Sequence, residues 1–321
     1  MSTAAKAGKR MIQTANGIVN TAVLIIILLL LGFSCYTIWD TAQLHDAAYA
    51  TRYEAYKPTV ENKGLSFKEL QEINPEVFAW LTVYGTHIDY PVTQGEDNLK
   101  YVNTDATGEY SLSGNIFLDS NCSRDFTDFS SILYGHHMER KAMFGEIGLF
   151  LEKSYFDARR YGRLYYNGRE HGLEFFAFIH DTDAYNASVF RTKITERAER
   201  QAYLDMLIQM ARNTRKEVKV TIDERIVLLS TCSASTTNGR DVLIGKITNK
   251  VFDDPFDTET MDNSNVPVID KLLNMWSQLP LWNKIIMAAI LFLLILLAIV
   301  LTYKKRQHSK KEENKGHEGG K

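Results

Sequence analysis

Arg225-Ile226-Val227-Leu228-Leu229-Ser230-Thr231-Cys232 is an apolar stretch that ends in two hydroxyl residues and a thiol. It reads as a buried strand whose tip carries a nucleophile, because a strand end is a rigid mount and the loop backbone beyond it can supply hydrogen-bond donors. Eight residues later Arg240 opens a second β-rich run, Arg240-Asp241-Val242-Leu243-Ile244-Gly245-Lys246-Ile247. If the two strands are neighbours, a guanidinium points back at the sulfur. Upstream, Ile132-Leu133-Tyr134-Gly135-His136-His137-Met138 ends another strand with two histidines.

Outward from these segments the chain alternates short β-rich runs with few helices. Strands are expected at Ala79–Tyr84 and His87–Val92, split by Gly85-Thr86, and at Asn115–Leu118, Ser131–Tyr134, Arg163–Tyr166 and Leu173–His180. Asn167-Gly168 between the last two is a hairpin signal. Lys219–Ile222, Arg225–Ser230 and Asp241–Thr248 complete the set. Met143–Phe156 reads as helical and Ile194–Asn213 as an amphipathic helix. Ser66 and Glu69 form a capping box for a helix that Pro75 ends. The pattern is mainly β with interposed helices: a mixed, mostly antiparallel sheet or barrel.

The 321 residues are 45% hydrophobic, 24% charged and 11% aromatic, with a net charge of −2, so nothing marks a nucleic-acid surface. Two stretches are far more apolar than the rest, Ala22–Trp39 and Ile285–Tyr303. Each is long enough, as a helix, to span roughly the 30 Å of a bilayer's hydrocarbon. The first is too long for the core of a signal peptide, and Phe33 blocks a lipoprotein cleavage site before Cys35. Lys6, Lys9 and Arg10 precede the first run and Lys304, Lys305, Arg306, Lys310 and Lys311 follow the second. By the positive-inside rule both termini are cytoplasmic and the middle of the chain lies outside. The expected order is a cytoplasmic N-terminus (1–21), a membrane helix (22–39), a juxtamembrane helix and linker (40–65), a catalytic domain (66–250), an acidic linker (251–284), a second membrane helix (285–303) and a basic tail (304–321).

Each candidate residue is weak alone. A lone cysteine at a strand end is more often a small buried hydrophobe, a histidine pair is usually a turn, and Arg240 could be a solvated edge charge. A metal site is disfavoured, since adjacent histidines on an extended chain point apart and Asp119, Asp125 and Glu139 lack ligand spacing. Thiol, imidazole and guanidinium together are what nucleophilic acyl transfer needs. Two other readings stay open: a surface cysteine protease that uses water, and a tethered binding domain stapled by a Cys122–Cys232 disulfide.

Leu229-Ser230-Thr231-Cys232 followed by Arg240, with Tyr134-Gly135-His136-His137-Met138 before them, resembles the sortase signature. Asn74-Pro75-Glu76-Val77 running into Trp80-Leu81-Thr82-Val83, then Ile88-Asp89-Tyr90-Pro91-Val92 and Asn115-Ile116-Phe117-Leu118-Asp119, is similar to class B members, over roughly residues 66–250. The resemblance implies an eight-stranded barrel with N-terminal helices. It implies Cys232 as the nucleophile forming an acyl thioester, His136 rather than His137 as general acid/base, and Arg240 as transition-state stabiliser. Ser230, Thr231 and Tyr134 would contact the sorting signal. The implied partners are surface proteins bearing that signal and an amine in a cell-wall precursor or on a pilin lysine, with no cofactor and no metal. Two departures stand out. Leu228-Leu229 stands where Thr-Leu is common, and the second apolar run is more usual in pilin-polymerising sortases than in class B.

Overall fold

The computed structural model describes residues 3–58, 65–233, 236 and 238–256. The second apolar run, the basic tail and the linker beyond residue 256 lie outside the described residues. The first apolar run belongs to a long helix α1 (Thr3–Ala48), of which Thr14–Thr37 is long and apolar enough to cross a membrane. Within it the hydroxyls of Thr21 and Ser34 donate to the carbonyls four residues back, at 2.9 and 2.8 Å. A 3₁₀ segment (Ala50–Tyr56) and helix α2 (Leu65–Ile73) follow. Ser66 lies inside α2, not at its cap, and its hydroxyl donates to the Lys57 carbonyl at 3.3 Å.

Among the described residues nine strands follow: β1 (Val77–Val83), β2 (Asp89–Thr93), β3 (Ile116–Leu118), β4 (Ser130–Tyr134), β5 (Tyr161–Tyr166), β6 (Arg169–Asp183), β7 (Asn213–Thr214), β8 (Arg225–Cys232) and β9 (Gly239–Thr248). Eight of them close a ring in the order β5-β1-β2-β3-β4-β8-β9-β6, with β6 pairing back onto β5, and the two-residue β7 adds to β6. The barrel therefore has no open edge among those eight. β2–β3 and β4–β8 are parallel, and the remaining pairs are antiparallel.

Strand alternation separates two apolar layers. On β8 and β9, Val227, Leu229 and Leu243 face the interior with Phe175, Leu133 and Leu81. Ile226, Leu228, Val242 and Ile244 face outward, under Tyr203, Leu204 and Leu207 of helix α4 (Arg197–Met210). At about 1.5–3 kcal/mol for each fully buried large side chain, these two layers dominate the stability of the sheet around the site.

Two expectations are corrected. Residues 143–156 are not one helix. They form a turn, a 3₁₀ segment (Ile147–Leu151) and a short helix α3 (Lys153–Ala158), because Phe144, Ile147 and Phe150 all point into the core at once. Lys219–Ile222 is not a strand. Reciprocal bonds between Thr221 and Glu224 (2.7 and 3.1 Å) close a local turn there, and the Lys219 carbonyl accepts from Lys246 Nζ at 3.1 Å. The Asn167-Gly168 hairpin forms with φ of 51° and 75°, the left-handed pair its turn type requires.

Candidate active site

Parallel pairing sends β4 and β8 to the same mouth of the barrel, and β9 begins there. Cys232 is directly opposite Arg240 in the β8–β9 ladder. Side chains so opposed stand about 4.5–5.5 Å apart at Cβ and on one face. In the β4–β8 ladder Tyr134 is opposite Ser230, and Gly135 N donates to the Ser230 carbonyl at 3.2 Å. His136 lies two residues beyond the last pair of that ladder, and it lines the same groove as Cys232 and Arg240. His136, Cys232 and Arg240 thus meet in one row of residues at that mouth, just after β4, at the end of β8 and at the start of β9. The Arg240 guanidinium donates to the Gly239 carbonyl at 3.0 Å.

The row borders a groove of about 540 Å³. Asn98, Leu99 and Val102 line one side, and Ala184, Tyr185 and Phe190, from the segment between β6 and α4, line the other. Leu99 and Tyr185 are 73% and 84% exposed, so an apolar ligand side chain has large surfaces to cover. Tyr134 lies between the row and the walls. Its hydroxyl donates to Asp119 at 3.1 Å, and burial together with that carboxylate pushes the phenol pKa up, so it stays protonated. Ser230 and Thr231 are buried, with hydroxyls that have no hydrogen-bond partner among the described residues. Alternation puts Ser230 on the Cys232 face and Thr231 on the interior face with Val227 and Leu229.

Cys122 and Cys232 are both free, which removes the disulfide-stapled reading. They occupy opposite environments. Cys122 is buried and its thiol pKa is pushed up to about 12 by that burial and by the Asp119 and Asp128 carboxylates, whereas Cys232 is exposed at the groove.

Several supports had no sequence signal. His136 Nε2 donates to the Val102 carbonyl at 2.8 Å, a main-chain acceptor that any residue type would supply. Asp119 also accepts from Asn98 at 2.9 Å, tying the groove wall to Tyr134. Asp241, buried beside Arg240, accepts from His180 Nδ1 at 2.8 Å and from Asp181 N at 3.1 Å. Asp181 in turn accepts from Thr236 at 2.6 Å, in the loop that follows Cys232. The link from Asp181 on the bulged β6 to Asp241 on β9 could not be read without knowing that the two strands adjoin.

The barrel topology and this row can be compared with known proteins. The chain is 31% identical over 185 residues to Sortase B of Listeria monocytogenes, covering 57% of this chain and 74% of that one. It belongs to the class B sortases. No family model matches the chain. The fold matches sortase B from the type II pilus of Streptococcus pneumoniae (TM-score 0.51, 42% identity, 57% of this chain and 99% of that one). It also matches a Streptococcus pyogenes class B sortase involved in pilus biogenesis (TM-score 0.52, 40% identity, 58% and 99%). As a class B sortase the chain is a cysteine transpeptidase that acts on a sorting signal and an amine acceptor.

Proposed function

We propose that Cys232, His136 and Arg240 perform the transpeptidation and that the acceptor is a pilin lysine. The single observation that carries the site assignment is that these three residues line one groove, with Cys232 directly opposite Arg240. The Cys232 thiolate attacks the carbonyl carbon of the sorting signal's scissile amide, and the carbonyl π electrons move onto oxygen. Arg240, opposite the sulfur, donates to that oxyanion. Collapse breaks the C–N bond, and His136 gives its proton to the departing amine. With Nε2 donating to Val102, Nδ1 is the nitrogen that carries this proton. The acceptor amine then attacks the thioester, His136 takes its proton back, and the amide forms as the thiolate leaves. Tyr134, Ser230 and Thr231 contact the signal, Thr231 through its backbone.

The pilin acceptor is supported by the roughly 40% identity to two sortases of pilus systems and by the second apolar run at Ile285–Tyr303. A chain held at both ends with termini inside the cell keeps the barrel close to substrates that are themselves still in the membrane.

The test uses the full-length protein in detergent micelles with a C-terminal sorting peptide from a pilin, and either a lysine-bearing pilin domain or a peptidoglycan-stem amine as acceptor. A thioester on the Cys232 peptide, seen by mass after an acid quench, and an amide to the pilin lysine are expected. Cys232→Ala should yield neither, with Cys122→Ala near wild type. Transfer to the stem amine alone would overturn the acceptor assignment, and product from Cys232→Ala would overturn the nucleophile.

A further inference from the structure

The C-terminal end of α1 is linked to the active-site backbone by the Tyr90 hydroxyl. Tyr90, on β2, is 1% exposed. Its hydroxyl donates to the carbonyl of Ala48, the last residue of α1, at 2.9 Å and accepts from the Met143 amide at 2.9 Å. Met143 forms a backbone bridge to His137, and the next amide, Phe144 N, donates to the His136 carbonyl at 3.0 Å. The Phe144 ring lies so close to Gly135 that a Cβ there would stand 2.7 Å from it. From α1 to the main chain of His136 the path is one phenol and one turn.

That turn is costly to hold. Arg140, Lys141 and Met143 have φ of 55°, 65° and 51°, left-handed values that side chains other than glycine, asparagine and aspartate seldom adopt. Such backbone persists only where its surroundings over-determine it. Burial of Ala142, Met143 and Phe144 is one constraint, and the Tyr90 hydroxyl is the polar one at the strained amide. A tyrosine needed only for packing would leave its oxygen toward water or toward one neighbour. This oxygen bonds both elements, which also share one buried apolar cluster with Tyr90.

We infer that Tyr90 is a positioning residue that couples the end of the membrane-proximal helix to His136, making α1 part of the active-site scaffold as well as its anchor. The inference rests on the assignment of His136 to proton transfer. The physical content is a contiguous chain of packed and bonded groups, which predicts coupling between residues 90 and 136.

The test reads Cys232 directly and needs no knowledge of the sorting signal. Full-length protein in detergent micelles is alkylated with iodoacetamide between pH 5 and 10, and the Cys232 peptide is followed by mass. Wild type, Tyr90→Phe, His136→Ala and the double variant are compared. An imidazole beside a thiol shapes the thiolate's reactivity, so His136→Ala should change the profile. Tyr90→Phe should shift it in the same direction, with a rate change of about 3- to 10-fold at pH 7, and should have no effect in the His136→Ala background. If His136→Ala leaves the profile unchanged, the proton-transfer assignment fails. If His136→Ala changes it and Tyr90→Phe does not, or if Tyr90→Phe acts equally in both backgrounds, the coupling fails. Hydrogen exchange in the wild type gives an independent reading should Tyr90→Phe not fold. The Met143 amide should exchange at least about 100-fold more slowly than an open turn, and exchange at open-turn rates would overturn the inference.

Discussion

The strands that carry the site and the segment that closes the barrel beside them solve one problem in different ways. The positions of Cys232 and Arg240 follow from ladder register on β8 and β9, and His136 follows two residues after β4, with the Val227, Leu229 and Leu243 layer on one face and Ile226, Leu228 and Ile244 on the other fixing that register. A one-residue slip would turn both layers inside out, so the row is specified by the whole sheet. Residues 139–151 have no ladder. Their placement depends on left-handed residues and on a few side-chain bonds, chiefly those of Tyr90 and Glu146. Function in the first region should be sensitive to what a side chain does and tolerant in stability; in the second the reverse should hold.

Arg240→Lys tests the first half of that contrast and should show the larger effect. The charge remains, but the planar fork of donors opposite the sulfur becomes a point charge. Loss of one oxyanion donor typically costs about 2.7–4 kcal/mol in the transition state, or about 10²–10³-fold in kcat. The melting temperature should move little, because the ladder is main chain. Wild-type kinetics in the lysine variant would reduce Arg240 to a structural charge.

Glu146→Gln tests the second half. The Glu146 side chain is 2% exposed and accepts from His87 N at 2.6 Å, His87 Nδ1 at 2.8 Å and Tyr155 at 3.1 Å. Burial opposes its ionisation, yet the His87 bonds, with help from Tyr155, outweigh burial and hold the carboxyl below its ordinary value of about 4.5. A carboxyl whose folded pKa is depressed stabilises the fold above its unfolded pKa, and that stability is lost as pH falls through the folded one. Glutamine should therefore cost about 1.5–3 kcal/mol at pH 7, measured by urea unfolding. The gap to wild type should close as pH drops from about 4.5 toward 3. Activity per folded molecule should fall less than in Arg240→Lys. A pH-independent gap would mean that packing, not charge, holds the segment.

The same contrast decides what the sequence could reveal. The ring of strands was legible because period-two burial, the Asn167-Gly168 turn and the apolar run into Cys232 are local signals. The pairing of Cys232 with Arg240 was legible because the two sit on consecutive strands and therefore meet across a hairpin-like connection. The closing segment reads as a helix over 143–156 and is not one. Its apolar residues, Phe144, Ile147 and Phe150, have the three-residue spacing of a helix, while the left-handed turn at 140–143 leaves no composition mark. Nor could Val102, Tyr90 or Asp241 be found. Their roles come from a main-chain carbonyl, a long-range hydroxyl and a carboxylate buried by a neighbouring strand, and each needs tertiary contact to exist.

His137→Ala should have the smallest effect, and it probes the border between the two regions. His136 follows β4 by two residues with its Nε2 on Val102, while His137 is exposed and joins the closing segment through its backbone bridge to Met143. Removing the exposed imidazole leaves that bridge intact, so kcat and KM should stay within about twofold of wild type, against a loss of about 10²-fold or more for His136→Ala. His137→Pro separates side chain from main chain at the same position. Proline removes the amide hydrogen, fixes φ and restricts the residue before it, which is His136. It should therefore lose activity well beyond His137→Ala. Equal losses in His136→Ala and His137→Ala, with melting temperatures unchanged, would sink the choice between the two histidines. A His137→Pro variant as active as His137→Ala would show that the bridge to Met143 does not hold the site.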